Sequence, residues 1–591
     1  MRAVSHPKLV IIIAISLATL IGSTLLTPVV PIQSISSQTY KVPPLSEIAL
    51  HSRFAKENNL GFVDDLRLTS EEGLTSSVLP SSLTSIVVPN NFPQNEPSIA
   101  VNLNDPNNWV VGANDYGIRR PIGGGVYTNG STLQVYFTPY PRLFAKGGSG
   151  SEFLFEPPVA TGDAAVVFSK KANKFIYTSL AFSETFCENG ILLFRSSDAQ
   201  GKNWLRPTVP SPFGPAVRTV VYYDSGQNCS TIHDKEWIAV DNNATSPHYG
   251  RVYVTWTQFT FADNRYKKSP IMLSYSDNDG NTFTGPFEVS GFSSQFCNSQ
   301  VNGPPNECDE NQFSIPVVAP NGKSIYVAFE NQQFVGAADG FRDQYLVVKI
   351  NADLLPALSM QGPFQAVYPI FDGFNDYPIN SDGRQTLCKS NFRVNSAGNL
   401  AIDRDRNADG KPELYIVFSD NRRHNGTFPF PTFVGAAAPF SCPAGKNTDV
   451  DVFLVKSTDG GLTWSAPIQV NNDKASGTTN NRDQWFPWLA VNPSDGRLTA
   501  VFHDRRLDSS NKLARTFLAH DAASTFGSSW TPTQIDIAGF NSNFDNAFFG
   551  IGVFIGDYNN VVIGPNGKAY AAFTAVLAGK FDSDVLVFRE P

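Results

Sequence analysis

Methionine is nearly absent: three residues in a chain of 591, against 45 Phe, 45 Gly and 41 Pro. That balance leaves little material for long helices and describes many short strands separated by turns. The seven histidines are scattered. No His-Glu-x-x-His pair, Gly-x-Ser-x-Gly elbow or phosphate-cradling Gly loop occurs, which withholds support from zinc hydrolases, serine esterases and nucleotide enzymes. None of the six cysteines stands in the closely spaced pairs that zinc sites use. The net charge is −8 with no basic run, making nucleic acid a poor partner. Beyond Leu26 no apolar run is long enough for a membrane span, so the body of the chain is expected to be soluble.

What is present begins at the N-terminus. Arg2 and Lys8 precede an uncharged run from Leu9 to Leu26, which Thr27, Pro28 and Pro31 then break. A positive segment followed by an apolar one is an export signal. Its length, about 18 residues, is at the lower limit for crossing a bilayer. Residues 1–32 therefore read equally as a cleaved signal peptide or a retained signal anchor. An extracellular location is expected, secreted or anchored, with membrane contact only through this segment.

Cysteine usage agrees. Cys187, Cys229, Cys297, Cys308, Cys388 and Cys442 all follow the leader, and an even number outside the cytosol favours disulfides. Their order suggests Cys187–Cys229, Cys297–Cys308 and Cys388–Cys442, with other connectivities open and buried free thiols as the alternative. Asn-x-Ser/Thr sites at Asn129, Asn228, Asn243 and Asn425 suit a glycosylated surface.

Residues 33–89 are rich in Ser, Thr, Pro and Leu and read as a stalk or linker, with room for a short helix near Leu45 to Asn58. From residue 90 to 591 a pattern recurs: an apolar strand opening on a polar residue, a turn, then a second apolar strand with a polar end. Its instances start at Glu96, Asp163, Glu236, Phe313, Phe392, Trp488 and Asn560. One unit cannot bury both its faces, whereas a ring of them can. The expected fold is all-β, a β-propeller of four-stranded blades, seven favoured and six allowed. Two stacked β-sandwiches are the alternative.

Several units carry one further turn. Ser457-Thr-Asp459-Gly-Gly461-Leu-Thr463-Trp464 reads Ser-x-Asp-x-Gly-x-Thr-Trp. Degraded copies run Ser276-Asp-Asn278-Asp-Gly280-Asn-Thr282-Phe283 and Ser196-Ser-Asp198-Ala-Gln-Gly201-Lys-Asn-Trp204. Glycine permits positive φ, the Asp or Asn side chain accepts turn amides, and the aromatic ring fills the hairpin's inner face. This turn resembles the Asp box of sialidase-like β-propellers, and the resemblance covers about residues 90–591. It implies hairpin stabilisation and no chemistry, since Asp boxes in that family lie away from the catalytic face. True sialidases have six blades, and their Phe/Tyr-Arg-Ile-Pro motif is missing here, where the first strand reads Glu96-Pro-Ser-Ile99.

In a propeller the loop after each second strand shares a face with the start of each first strand. Three such loops carry paired arginines: Arg119 and Arg120, Arg422 and Arg423, Arg505 and Arg506. Guanidinium forks suit carboxylate, sulfate or phosphate, and in the resembling family three arginines hold the substrate carboxylate. The alternative is that each arginine pairs with the Asp beside it and braces the blades. Arg393 is a possible stand-in for the missing first arginine, although in another unit. The resemblance also implies a Tyr nucleophile beside a Glu, and an Asp acid/base. Tyr558, Asp557 and Glu236 are the catalytic candidates by position, with Asp234 and Glu96 on the same face. Strand-end capping is the alternative for each.

The best metal candidate is Asp405, Asn407, Asp409, Lys411 (through its carbonyl) and Glu413. Oxygen donors at alternate positions with Gly410 at the bend are what Ca²⁺ asks of a loop. The spacing resembles the calcium hairpin of integrin-type propellers, so Ca²⁺ is the expected cofactor, in a structural role. The functional expectation is a monomeric extracellular propeller that binds glycan or a cell-surface protein. The alternative is an exo-acting, sialidase-like glycoside hydrolase on anionic sugars.

Overall fold

The computed structural model describes residues 84–86 and 93–591 apart from 117–122, 129–143, 147–153, 157–159, 183–186, 188, 206–219, 225–229, 263–264, 301–302, 335–340, 374–375, 381–383, 408, 424–446, 474–481, 522–525, 527–528, 537–538, 543–553 and 577–582. It is an all-β propeller. Among the described residues the only helix is the single 3-10 turn Ala352–Leu354.

Each recurring unit of the sequence becomes the first two strands of one antiparallel sheet. The first sheet holds Gln94–Asn102, Asp105–Asp115 and Gly123–Thr128. The next five are four-stranded blades, three of them with one further short strand, whose first strands are Ala160–Ser169, Thr231–Val240, Asn311–Val318, Asn399–Asp403 and Gln484–Val491. The sixth four-stranded blade is built from Asn560–Ile563, Ala569–Ala575 and Asp584–Arg589. Its outer strand, Thr84–Ile86, comes from the start of the chain and pairs Thr84 with Phe588 and Ile86 with Leu586. The propeller thus takes up three residues of the segment read as linker. Six four-stranded blades and one three-stranded sheet make the ring. A separate two-stranded pair joins Phe144–Lys146 to Leu154–Glu156.

Side-chain bridges cross every junction between neighbouring sheets. Ser98 Oγ accepts from Val166 N at 3.0 Å, and Asn189 Oδ1 accepts from His233 N at 2.9 Å. Ser314 Oγ meets Thr255 Oγ1 at 3.0 Å, and Ser396 Oγ donates to Glu330 Oε1 at 3.0 Å. Asn399 Oδ1 accepts from Leu489 N at 2.6 Å, Asn559 Nδ2 donates to Phe486 O at 3.1 Å, and Asn560 Oδ1 accepts from Ile99 N at 2.9 Å. The last closes the ring. Apolar cores fill the spaces between: Val110, Phe175 and Tyr177 between the first two sheets, Ile99, Val111, Tyr570 and Val585 between the last and the first. Runs such as Val252-Tyr-Val-Thr-Trp256 are fully buried because each blade is covered on both faces.

The three Ser-x-Asp/Asn turns join third to fourth strands, as read from sequence. In the first of them Asp459 accepts from Ser457 Oγ at 2.8 Å, from Leu462 N and Thr463 N at 3.0 Å, and from Thr463 Oγ1 at 2.6 Å. Gly460 and Gly461 take φ of 74° and 93°, and Trp464 Nε1 donates to Gly461 O. Cys297–Cys308 is a disulfide with Cα atoms 5.3 Å apart, as expected. Cys187 and Cys388 are also disulfide-bonded, and no described cysteine is free. Cys229 and Cys442 lie outside the described residues, so those two pairings are not seen directly. The leader lies outside them too, and no described helix is long and apolar enough to cross a membrane.

Candidate active site

The first strands share a device that the sequence pattern does not announce. In five of the seven, the pairing with the second strand slips near the start, and a residue other than glycine takes a left-handed backbone. These are Glu96 (φ 54°), Asp163 (53°), Lys235 (49°), Phe313 (57°) and Phe486 (52°). The slips fall at Asn95/Ser98, Gly162/Ala165, Asp234/Trp237, Gln312/Ile315 and Trp485/Trp488. A left-handed non-glycine residue costs roughly 1–2 kcal/mol, and a bulge of this kind re-aims a side chain. Repeated at one register, it turns Glu96, Asp163 and Lys235 toward the same place.

That place is the ring axis. Trp237 of the third sheet lies 4.6 Å from Trp488 of the sixth, centroid to centroid, and 5.7 Å from Tyr558 at the start of the seventh. Rings from non-adjacent sheets can meet only across the centre. Lys235 Nζ sits 3.8 Å from the Tyr558 centroid and 4.2 Å from that of Trp237, so the ammonium rests on two aromatic faces. It makes no hydrogen bond, and neither do the Tyr558 hydroxyl or either carboxylate oxygen of Glu236. All three side chains are buried.

Two further carboxyls complete the cluster. Asn114 fixes both: its Nδ2 donates to Glu96 Oε2 at 2.6 Å, and its Oδ1 accepts from Asp163 N at 2.8 Å. Burial, then repulsion from Asp163 and Asp557, holds Glu96 well above the usual carboxylate range. Burial also raises Asp163, against a hydrogen bond from Glu96 and the attraction of Lys235. Two acidic groups placed this way ionise one at a time, sharing a proton. Glu236 is pushed well up by burial and then by Asp163, with Lys235 pulling the other way. Burial depresses Lys235, opposed by Asp163, Glu236 and Glu96. Burial and the surrounding carboxyls raise the Tyr558 phenol far above its ordinary value, so it stays protonated. Beside them Arg393 Nε donates to Asp557 Oδ1 at 2.8 Å while Nη2 donates to Oδ2, and its guanidinium lies over Phe554 at 4.5 Å.

The structure therefore brings together Tyr558, Asp557, Glu236 and Glu96, and adds Arg393, which does reach the axis from the fifth sheet. Sequence reasoning missed Asp163 and Lys235 as site residues. Their trace was there: each opens or directly precedes a first strand, in the position Glu96 occupies.

The arginine pairs do not join this cluster. Arg422 folds back on Asp420 (Nε–Oδ1 2.9 Å, Nη2–Oδ2 2.7 Å), with its guanidinium near Phe418 and Phe453. Arg506 does the same with Asp504 at 2.6 Å, and Arg423 donates to Gln469 Oε1. Arg505 is fully buried against Asp483, Ser390 and Ser542. Arg422 and Arg506 thus pair with the Asp two residues before them, the alternative the sequence allowed, while Arg505 and Arg423 are held by Asp483 and Gln469 from farther along the chain. Arg119 and Arg120 lie outside the described residues.

Three of the side chains expected to bind calcium have hydrogen-bond partners of their own. Asp405 spends its oxygens on the amides of Asp409 and Gly410, and Asp409 Oδ1 accepts from Lys411 N. Glu413 turns to Tyr415 Oη at 2.6 Å and Lys456 Nζ at 2.8 Å. Among the described residues no group of three or more His, Cys, Asp or Glu is placed to hold a metal ion.

No protein-family model and no curated protein matches this chain. Solved structures similar to it include the α-L-arabinofuranosidase Arb93A from Fusarium graminearum, at 13% identity over 72% of this chain and 92% of that one, TM-score 0.36. A sialidase from Trypanosoma rangeli is similar at 12% identity over 84% of this chain and 53% of that one, TM-score 0.33. A PL25 ulvan lyase is similar at 8% identity, 85% and 94%, TM-score 0.40. Overlaps this loose carry no chemistry across. The propeller stands on its own strand pairing.

Proposed function

We propose that this chain is an extracellular, glycan-acting propeller that cleaves glycosidic bonds at the axial cluster. The observation that carries the reading is Glu236: a fully buried carboxyl with both oxygens unpartnered, beside an unpartnered tyrosine hydroxyl. A carboxyl held protonated above its usual range is what a general acid needs to protonate a leaving glycosidic oxygen. The Glu96–Asp163 pair, with one proton between two groups, supplies the second carboxylate. Tyr558, kept neutral by its surroundings, serves as a hydrogen-bond donor to substrate; it is not suited to attack as a phenolate. The export segment and the Cys297–Cys308 disulfide support placement outside the cell.

A screen of aryl glycosides with the purified chain tests this. Hydrolysis of at least one is expected, and Glu236→Gln should lower kcat by about 100-fold or more with an unchanged Tm. The second reading, binding without cleavage, is favoured by the deep burial of the same groups. Retention on a glycan array with no hydrolysis of any aryl glycoside would decide for it.

A further inference from the structure

We infer that Asp163 is the carboxylate that meets substrate at the axial site, with Glu96 and Asn114 as the positioning residues that hold it there. This rests on the axial cluster being where a glycosidic bond is cleaved, and it decides between the two members of the acidic pair. Asn114 supplies the first half of the argument. A backbone N–H can only donate, so the Asn114 atom that meets Asp163 N at 2.8 Å is Oδ1. Its Nδ2 therefore lies on the other side, donating to Glu96 Oε2 at 2.6 Å and to Asn95 Oδ1 at 3.2 Å. Glu96 Oε2 is thus an acceptor, and a proton on that carboxyl belongs to Oε1. From there Glu96 donates the side-chain hydrogen bond that it shares with Asp163. Both oxygens of Glu96 are spent inside the cluster.

Asp163 has one oxygen left over. Its Oδ2 is buried and has no hydrogen-bond partner among the described residues. The charges agree. After burial, the main influences on Asp163 are the Glu96 hydrogen bond and the pull of Lys235, both downward. After burial, those on Glu96 are repulsion from Asp163 and Asp557, both upward. One proton between the two groups therefore stays on Glu96, and the negative charge stays on Asp163. Burial first, and then Asp163 ahead of any other group, keeps Glu236 protonated. A carboxylate and a carboxylic acid are the two states that glycoside hydrolysis requires of its pair. Glu236 gives its proton to the glycosidic oxygen, the C–O bond breaks, and Asp163 Oδ2 meets the electron-poor anomeric carbon. Water then adds its hydroxyl to that carbon, and its remaining proton restores Glu236.

Two measurements on the full chain test this. Carbon-13 NMR of the labelled carboxyls at pH 7 should show Glu96 as the acid and Asp163 as the carboxylate; it needs no turnover and no variant that folds. Kinetics on an aryl glycoside that the unaltered chain hydrolyses should then separate the two residues. Glu96→Gln keeps an acceptor for Asn114 and a donor for Asp163, so its loss of kcat should be at least 100-fold smaller than that of Asp163→Asn. The acidic limb of its pH–rate profile should stay in place. Glu96→Leu offers Asp163 no donor, so the carboxylate forms less readily and that limb should move upward by about one unit. An unmoved limb in Glu96→Leu would overturn the positioning role. A proton found on Asp163, or a greater loss in Glu96→Gln than in Asp163→Asn, would overturn the inference and leave the glycan-cleaving reading standing. Failure to hydrolyse any aryl glycoside would remove that reading and the inference with it, whatever the spectra show.

Discussion

Lys235 shows how much one buried charge decides. Its ammonium makes no hydrogen bond and is held by two rings and the field of four carboxyls. In return it pulls Glu236 and Asp163 down from the still higher values that burial alone would give them. Lys235→Met removes that pull, so both carboxyls should keep their protons to higher pH. If Glu236 is the acid, activity falls as its proton leaves, and the basic limb of the pH–rate profile should move upward by about one unit. The Glu236 carboxyl followed by NMR should shift in the same sense. A limb that stays in place would mean that Glu236 is not the group being titrated. This residue was readable only as part of Asp234-Lys-Glu-Trp; nothing in the sequence tells that Lys235 turns inward, because its direction depends on a bulge. The arginine pairs mislead for a related reason. Position in a loop says which end of the ring a side chain serves, but Asp420 and Asp504 are nearer to Arg422 and Arg506 than any ligand.

At the scale of the element, the Ser457–Trp464 turn was legible in full, since each of its residue types has one local task. Burial pushes Asp459 up, but hydrogen bonds from Thr463, Ser457 and Leu462 outweigh it and leave the carboxyl below its ordinary value. A depressed acid contributes stability above its unfolded pKa and loses it as pH falls through the folded one. Asp459→Ala should therefore cost roughly 1–2 kcal/mol at neutral pH, a figure kept low because the turn is solvent-screened. The difference from the unaltered chain should shrink toward pH 3 in thermal melts. An equal deficit at both pH values would show that packing of the turn, not the charge, carries the effect. The first two strands of every sheet were equally plain, because buried β-branched and aromatic runs flank a polar start. The outer strands were not. Ile468–Gln469 and Trp204–Leu205 are two residues long, too short for any period to emerge. Nor were the left-handed Phe313 and Phe486 legible, as phenylalanine is a poor marker of positive φ.

At the scale of the molecule, the seven recurrences became seven sheets, and the outer strand of the last came from a segment without any repeat. Thr84–Ile86 has a partner only because Asp584–Arg589 offers an open edge. A chain beginning at residue 90 should lose that pairing and melt lower by about 3–6 °C, whereas one beginning at residue 80 should match the full chain. Identical melting of both would mean that the strand adds nothing to ring stability. The pairing has a further consequence in polymer terms. It ties together two points about 500 residues apart in sequence, which costs only about 3.5 kcal/mol more than closing a ten-residue loop. Asn560 and Ile99 already join the first and last sheets at their inner strands, so the outer strand acts as a latch on a ring that is closed without it.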